Sequence, residues 1–202
     1  VGSGTIQVYV RDLATDTTAL ASRSAAGAAA NSQSDLGAIS PNGRFVSFRS
    51  FATNLAGGPF ASRVYVHDRV TPATSSVPLP VLNAVTATGC RENDVADNGV
   101  VVLTCFFGSG LFDQGYLHIP GAAGTPFLIS SDINDVAGNQ VSGTRVAIDA
   151  SGLSMIFDSL ASNLVGNNSG AMARLKRLRM LLAGRFREWT DRNLDGLDLC
   201  AD

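Results

Sequence analysis

Val8-Tyr9-Val10-Arg11-Asp12, followed by Thr15 and Thr18, returns 56 residues later as Val64-Tyr65-Val66-His67-Asp68, followed by Thr71 and Thr74. A weaker third copy begins at Tyr116-Leu117-His118. A second stretch repeats as well. Gly43-Arg44-Phe45-Val46-Ser47-Phe48, running on to Ala52-Thr53-Asn54-Leu55, is echoed 109 residues later by Gly152-Leu153-Ser154-Met155-Ile156-Phe157, running on to Ala161-Ser162-Asn163-Leu164. The middle copy is degenerate, with Asn98-Gly99 and then Val100 to Phe107. Matches at a constant offset are the mark of a repeat architecture.

Each repeat reads as four short strands. Pro41-Asn42-Gly43, Asp97-Asn98-Gly99 and Ala150-Ser151-Gly152 are tight-turn signals in which Gly supplies a positive φ. After the first of them, Phe45 and Ser47 alternate with Val46 and Phe48, as in a strand covered on both faces. Asp16-Thr17 and Thr71-Pro72 mark a second turn in their repeats. With strands labelled A to D and the glycine turn between A and B, the chain reads C-D, A-B-C-D, A-B-C-D, A-B. A four-stranded repeat of about 50 residues is the pattern of a β-propeller blade. The reading is therefore all-β, with about three blades' worth of antiparallel repeats. A closed propeller normally takes four to eight blades. Either the stretch is part of a longer chain, or two copies combine.

Ile39-Ser40-Pro41-Asn42-Gly43-Arg44-Phe45-Val46-Ser47-Phe48 resembles the Ser-Pro-Asp-Gly hairpin of WD-repeat-like blades in bacterial TolB-type β-propellers. Val8 to Thr18 and Val64 to Thr74 resemble the strand pair that accompanies it. The resemblance covers roughly residues 5–168. It implies a propeller that binds proteins or ligands through its blade-connecting loops, a periplasmic or extracellular location, and six blades, the number a homodimer of this chain would supply. Two other functions stay open beside the non-catalytic scaffold. One is an accessory or gating propeller of a prolyl-oligopeptidase-like hydrolase whose catalytic domain lies outside this stretch. The other is a calcium-stabilised cell-surface module.

Composition agrees with a folded, turn-rich β protein. Of 202 residues, 45% are apolar and 16% charged, and 21 are Gly. A net charge of −2 argues against nucleic-acid binding through bulk charge. No uncharged apolar run approaches the length of a membrane span, and Val1 to Ile6 show no signal-peptide pattern.

The charge divides the chain into three zones. Residues 1–170, the repeat domain, carry −4; residues 171–190 carry +5; residues 191–202 carry −3. In the second zone Leu175, Leu178, Leu182, Phe186 and Trp189 recur at three and four residues, which predicts a basic amphipathic C-terminal helix. It would pack on the propeller, or meet an anionic membrane or a partner groove. In the acidic third zone Asp191, Asn193 and Asp195 stand at positions 1, 3 and 5 of a calcium-loop pattern, with Gly196 at position 6. Asp202 falls at position 12 and Asp198 at position 8, where an EF-hand has an apolar residue. These five oxygen-bearing residues are the candidate calcium ligands, the alternative being an acidic tail.

Cys90 and Cys105 flank the turn at Asp97-Asn98, and their positions sum to 195, as do those of Asp94 and Val101. That register sets the two cysteines opposite each other on strands A and B, as a disulfide or as two buried thiols. Cys200 is left over.

Catalytic motifs are missing: there is no Gly-x-Ser-x-Gly elbow, no His-Glu-x-x-His and no phosphate-binding glycine loop. No catalytic residue is therefore assigned. His67 and His118 occupy equivalent repeat positions, which is a structural reason for both. Asp12 and Asp68 are equivalent too and are expected to brace turns. Glu92, Asp94 and Asp97 form an acidic group near the Cys90 hairpin, and Asn167-Asn168-Ser169 is a glycosylation sequon.

Overall fold

A computed structural model describes residues 4–56, 62–108, 110–121, 124–132 and 134–165, together with the backbone of 176–177. The described residues contain strands and turns and no α-helix. A first hairpin joins β1 (Tyr9–Asp12) to β2 (Thr17–Leu20). A four-stranded antiparallel sheet follows in the order β3 (Ser34–Ile39), β4 (Phe45–Ser50), β5 (Arg63–Asp68), β6 (Ala73–Ser76). A small hairpin, β7 (Val81–Leu82) and β8 (Val85–Thr86), then leads to a second such sheet. This one is built of β9 (Gly89–Val95), β10 (Val101–Phe106), β11 (Gln114–His118) and β12 (Phe127–Leu128). The last sheet is β13 (Ser142–Ile148), β14 (Ser154–Ser159) and the two-residue β15 (Lys176–Arg177). None of the sheets closes on itself.

The sheets lie face to face in chain order. β9 crosses β3, β4 and β5, and β13 crosses β9, β10 and β11. Strand alternation sends successive residues to opposite faces, so each inner sheet feeds two cores. Val46 and Phe48 pack backwards with Tyr65, Ala21, Val8 and Val10. Val64 and Val66 pack forwards with Val101, Leu103, Cys105 and Tyr116. Val102 and Leu117 pack forwards again with Ile129, Met155 and Phe157. This explains why strands such as β10 are apolar at nearly every position, whereas a sheet with one wet face alternates.

Turn chemistry sets the ends of the strands. Gly43, Gly99 and Gly152 all have φ between +73° and +81°, as the A–B turns require. Asp12 accepts hydrogen bonds from the Ala14 and Thr15 amides, and Asp68 from the Val70 amide and the Thr71 hydroxyl. Both acids thus brace the turns that follow β1 and β5, as expected.

Two expectations need correction. The helix expected over 171–190 is not supported. Its two described residues, Lys176 and Arg177, are extended and pair with Met155 and Ser154. The outer edge of β14 offers unpaired backbone groups, and at these two residues edge pairing prevails over the apolar periodicity. The remainder of 171–190 lies outside the described residues. The hairpin register also differs from the expected one. Val101 faces Val95, not Asp94, and a bulge between Leu103 and Thr104 then shifts the pairing so that Cys105 faces Cys90. Those two cysteines are joined in a disulfide.

Candidate functional site

The A–B turns of successive sheets form a hydrogen-bonded ladder at one end of the stack. The Asn42 amide donates to Asp97 Oδ1 at 2.7 Å. The Asp97 amide donates to the Ala150 carbonyl at 3.0 Å, and Asn98 Nδ2 to the Ser151 carbonyl at 2.9 Å. One level below, Asp94 Oδ2 accepts from the Ile148 amide. Two of the three residues in the acidic group are therefore braces between sheets. The third, Glu92, acts electrostatically on Arg49, whose guanidinium is held by Asp35 in two hydrogen bonds of 2.7 Å.

The opposite end is built from the B–C and D–A connections. There Asn31 and Asn139 clasp the connection after the B strand. Asn31 Nδ2 donates to Thr53 Oγ1, its Oδ1 accepts from the Thr53 amide, and its own amide donates to Asn54 Oδ1. Asn139 repeats each bond with Ser162 and Asn163. A second repeated device links Gln7 to Ser22 and the Ala30 carbonyl, and Gln114 to Ser130 and the Gly138 carbonyl. Sequence reasoning missed Gln7, Gln114, Asn31 and Asn139. Their signal was present, since they recur 107 and 108 residues apart, close to the offset of the longer match.

Between these connections, beside the middle sheet, opens a cleft of about 440 Å³. Leu82 and Asn83 of the β7–β8 hairpin line one side, Gly110 to Phe112 a second, and Asp135 to Gly138 a third, with Gln114 also lining it. Its rim is mixed, with Phe112 and Val136 exposed beside Asn83 and Asp135. Asn83, Ala84 and Asp135 are held at positive φ, between 48° and 64°, a region that side-chain-bearing residues seldom occupy. Asn83 and Ala84 form the two-residue turn between β7 and β8, and Asp135 lies in a turn in which its amide donates to the Asp132 carbonyl.

His67, Asp68 and His118 stand on the C strands β5 and β11, away from the cleft. His67 is buried, and its Nδ1 lies 3.0 Å from Thr74 Oγ1. Burial, aided by the charge of Arg23, pushes its pKa down, and burial does the same to His118. The Arg44 guanidinium holds the Asp68 carboxyl well below the usual range. Among the described residues no group of three or more His, Cys, Asp or Glu is placed to hold a metal ion. The expected calcium ligands Asp191, Asn193, Asp195, Asp198 and Asp202 lie outside the described residues, as do Cys200 and the sequon at 167–169. Among the described residues no helix is long and apolar enough to cross a membrane.

Comparison of the sequence with family models and with curated proteins gave no match.

Proposed function

We propose that this chain is a propeller-type stack of four-stranded blades acting as a non-catalytic scaffold, which takes a protein or peptide ligand at its B–C and D–A loop end. The observation that carries the reading is the cleft beside the middle sheet. Three separate connections converge on it, and its rim sets the exposed apolar side chains of Phe112 and Val136 beside the polar Asn83 and Asp135. Loops set on a rigid β scaffold are the usual carriers of binding. The buried Cys90–Cys105 disulfide supports an oxidising compartment, in keeping with a periplasmic or extracellular place of work.

The test is to pan a displayed peptide library against the wild-type chain, with counter-selection on a Phe112→Asp, Val136→Asp variant. Both side chains are exposed, so the fold should tolerate the change. Peptides that bind the wild type and not the variant support the cleft. A library that yields none, or only peptides that bind both proteins alike, refutes it.

A further inference from the structure

Among the described residues an arginine is set between an aromatic ring and a carboxylate three times. The Arg44 guanidinium lies over Phe45, 4.7 Å from the ring centroid, and donates to Asp68 from Nε and Nη2. Arg49 lies over Phe51 at 5.2 Å and is held by Asp35 in the two bonds already described. Arg91 lies over Phe106 at 5.7 Å and is paired with Asp113. In each set the ring face attracts the cation and the carboxylate fixes its orientation. Phe51 is 43% exposed, so a solvent-facing ring keeps its guanidinium too.

The cleft at the B–C and D–A loop end holds the ring and the carboxylate of such a set without the cation. Phe112 is 40% exposed on one wall, and no guanidinium lies over it among the described residues. Asp135 is exposed on another wall, and its carboxylate has no hydrogen-bond or ion-pair partner among the described residues. Of the described residues that line the cleft, Asp135 alone is ionisable. Its chain neighbour Val136 sets an exposed apolar side chain beside it.

We propose that the cleft takes an arginine side chain of its peptide ligand, with the guanidinium on the Asp135 carboxylate and over the Phe112 ring. This rests on the preceding reading of the cleft as a peptide site and names the side chain it selects. Arginine suits the place better than lysine. Its planar fork meets a carboxylate with two bonds and lies flat on a ring, whereas an ammonium is a compact, strongly hydrated point charge. The methylene stem covers apolar rim while the head reaches the acid. Val136 beside Asp135 calls for an apolar ligand residue close to the arginine, and side chains i and i+2 of an extended peptide share a face about 7 Å apart. A peptide is the occupant because the lining offers one anion amid apolar and neutral polar groups, which a segment of mixed side chains matches.

The experiment is fluorescence anisotropy of labelled hexapeptide pools on the whole chain. Arg, Lys or citrulline is fixed at one position, Leu is fixed two positions away, and the remaining positions are mixed. Citrulline keeps the shape of arginine and lacks its charge. The arginine pool should bind at least about tenfold more tightly than the citrulline pool, the scale of one charge-assisted pair, and more tightly than the lysine pool. Asp135→Gly should erase the difference between arginine and citrulline and leave the fold intact. Gly27 holds the equivalent place in the earlier D–A connection, at φ +82° against +60° for Asp135. Phe112→Leu should weaken the arginine pool more than the lysine pool. Arginine and citrulline pools that bind alike, and that both fail on the Phe112→Asp, Val136→Asp variant, overturn the proposal and leave the peptide site standing. An arginine preference that survives Asp135→Gly overturns Asp135 as the partner. N-acetylarginine amide that competes at the affinity of the arginine pool overturns the peptide as occupant. If no pool binds and the displayed library is empty as well, the reading of the cleft falls and the proposal falls with it.

Discussion

Removing the Cys90–Cys105 bridge should cost this protein about 3 kcal/mol. The bond closes a loop with a sequence separation of 15, and cross-linking a loop of that length removes about 3 kcal/mol of chain entropy from the unfolded state. For a domain of this size 1 kcal/mol moves the melting point by roughly 2–4 °C, so the loss should read as roughly 6–12 °C. The substitution that isolates the cross-link is Cys90→Ser with Cys105→Ser. At the equivalent A–B positions of the other sheets stand hydroxyl pairs, Ser34–Ser50 at 2.8 Å and Ser142–Ser159 at 2.7 Å. Two serines therefore suit this place, and little packing is lost with the bond. The assay is a thermal melt of both proteins, with alkylation in denaturant as the control. Of the 3 cysteines, one should react without reductant and all after reduction. Three reactive thiols without reductant, or a melting point within about 2 °C of the wild type, would refute the reasoning.

Three other outcomes follow from local geometry. Asn83-Ala84 turns β7 into β8 with both residues at positive φ, which favours glycine at the second place, so Ala84→Gly should stabilise by about 0.5–1 kcal/mol in a denaturant titration. The Tyr116 hydroxyl is buried without a hydrogen-bond partner among the described residues, and burial raises its pKa; Tyr116→Phe should leave the fold intact and add about 1 kcal/mol. Burial holds the pKa of His67 and His118 below 6.5, so the unfolded chain binds more protons. Their contribution is complete above about pH 6.5 and is lost as pH falls towards the folded-state values. Melting points from pH 7.5 to 4.5 should fall across that window, and His118→Gln should flatten the slope; an unchanged slope would remove His118 as a cause.

Much of the strand order was legible because glycine turns and alternation repeat together. Gly43, Gly99 and Gly152 each mark a turn that only a positive φ satisfies, and the flanking strands follow from them. Two features escaped for physical reasons. The β7–β8 hairpin turns on Asn83-Ala84, which carries no glycine, within a stretch interrupted by Pro78 and Pro80. The bulge near Leu103 inserts one residue into β9, and a single-residue shift of register leaves no trace in composition. Of the candidate site, Phe112, Asp135 and Val136 come together only when three connections meet, a juxtaposition that spacing along one chain does not encode. At Lys176 and Arg177 apolar spacing predicts a helix but takes no account of a strand edge, and these two residues pair with β14.

The sheets pack on their neighbours in chain order, and that order is also the order of synthesis. Each four-stranded unit, once released from the ribosome, finds its docking partner already built behind it. It then waits only for the next unit to seal its forward face. Growth of this kind leaves exposed only the forward face of the newest sheet and the outer face of the first hairpin, where Tyr9 is half-exposed, however many units are added.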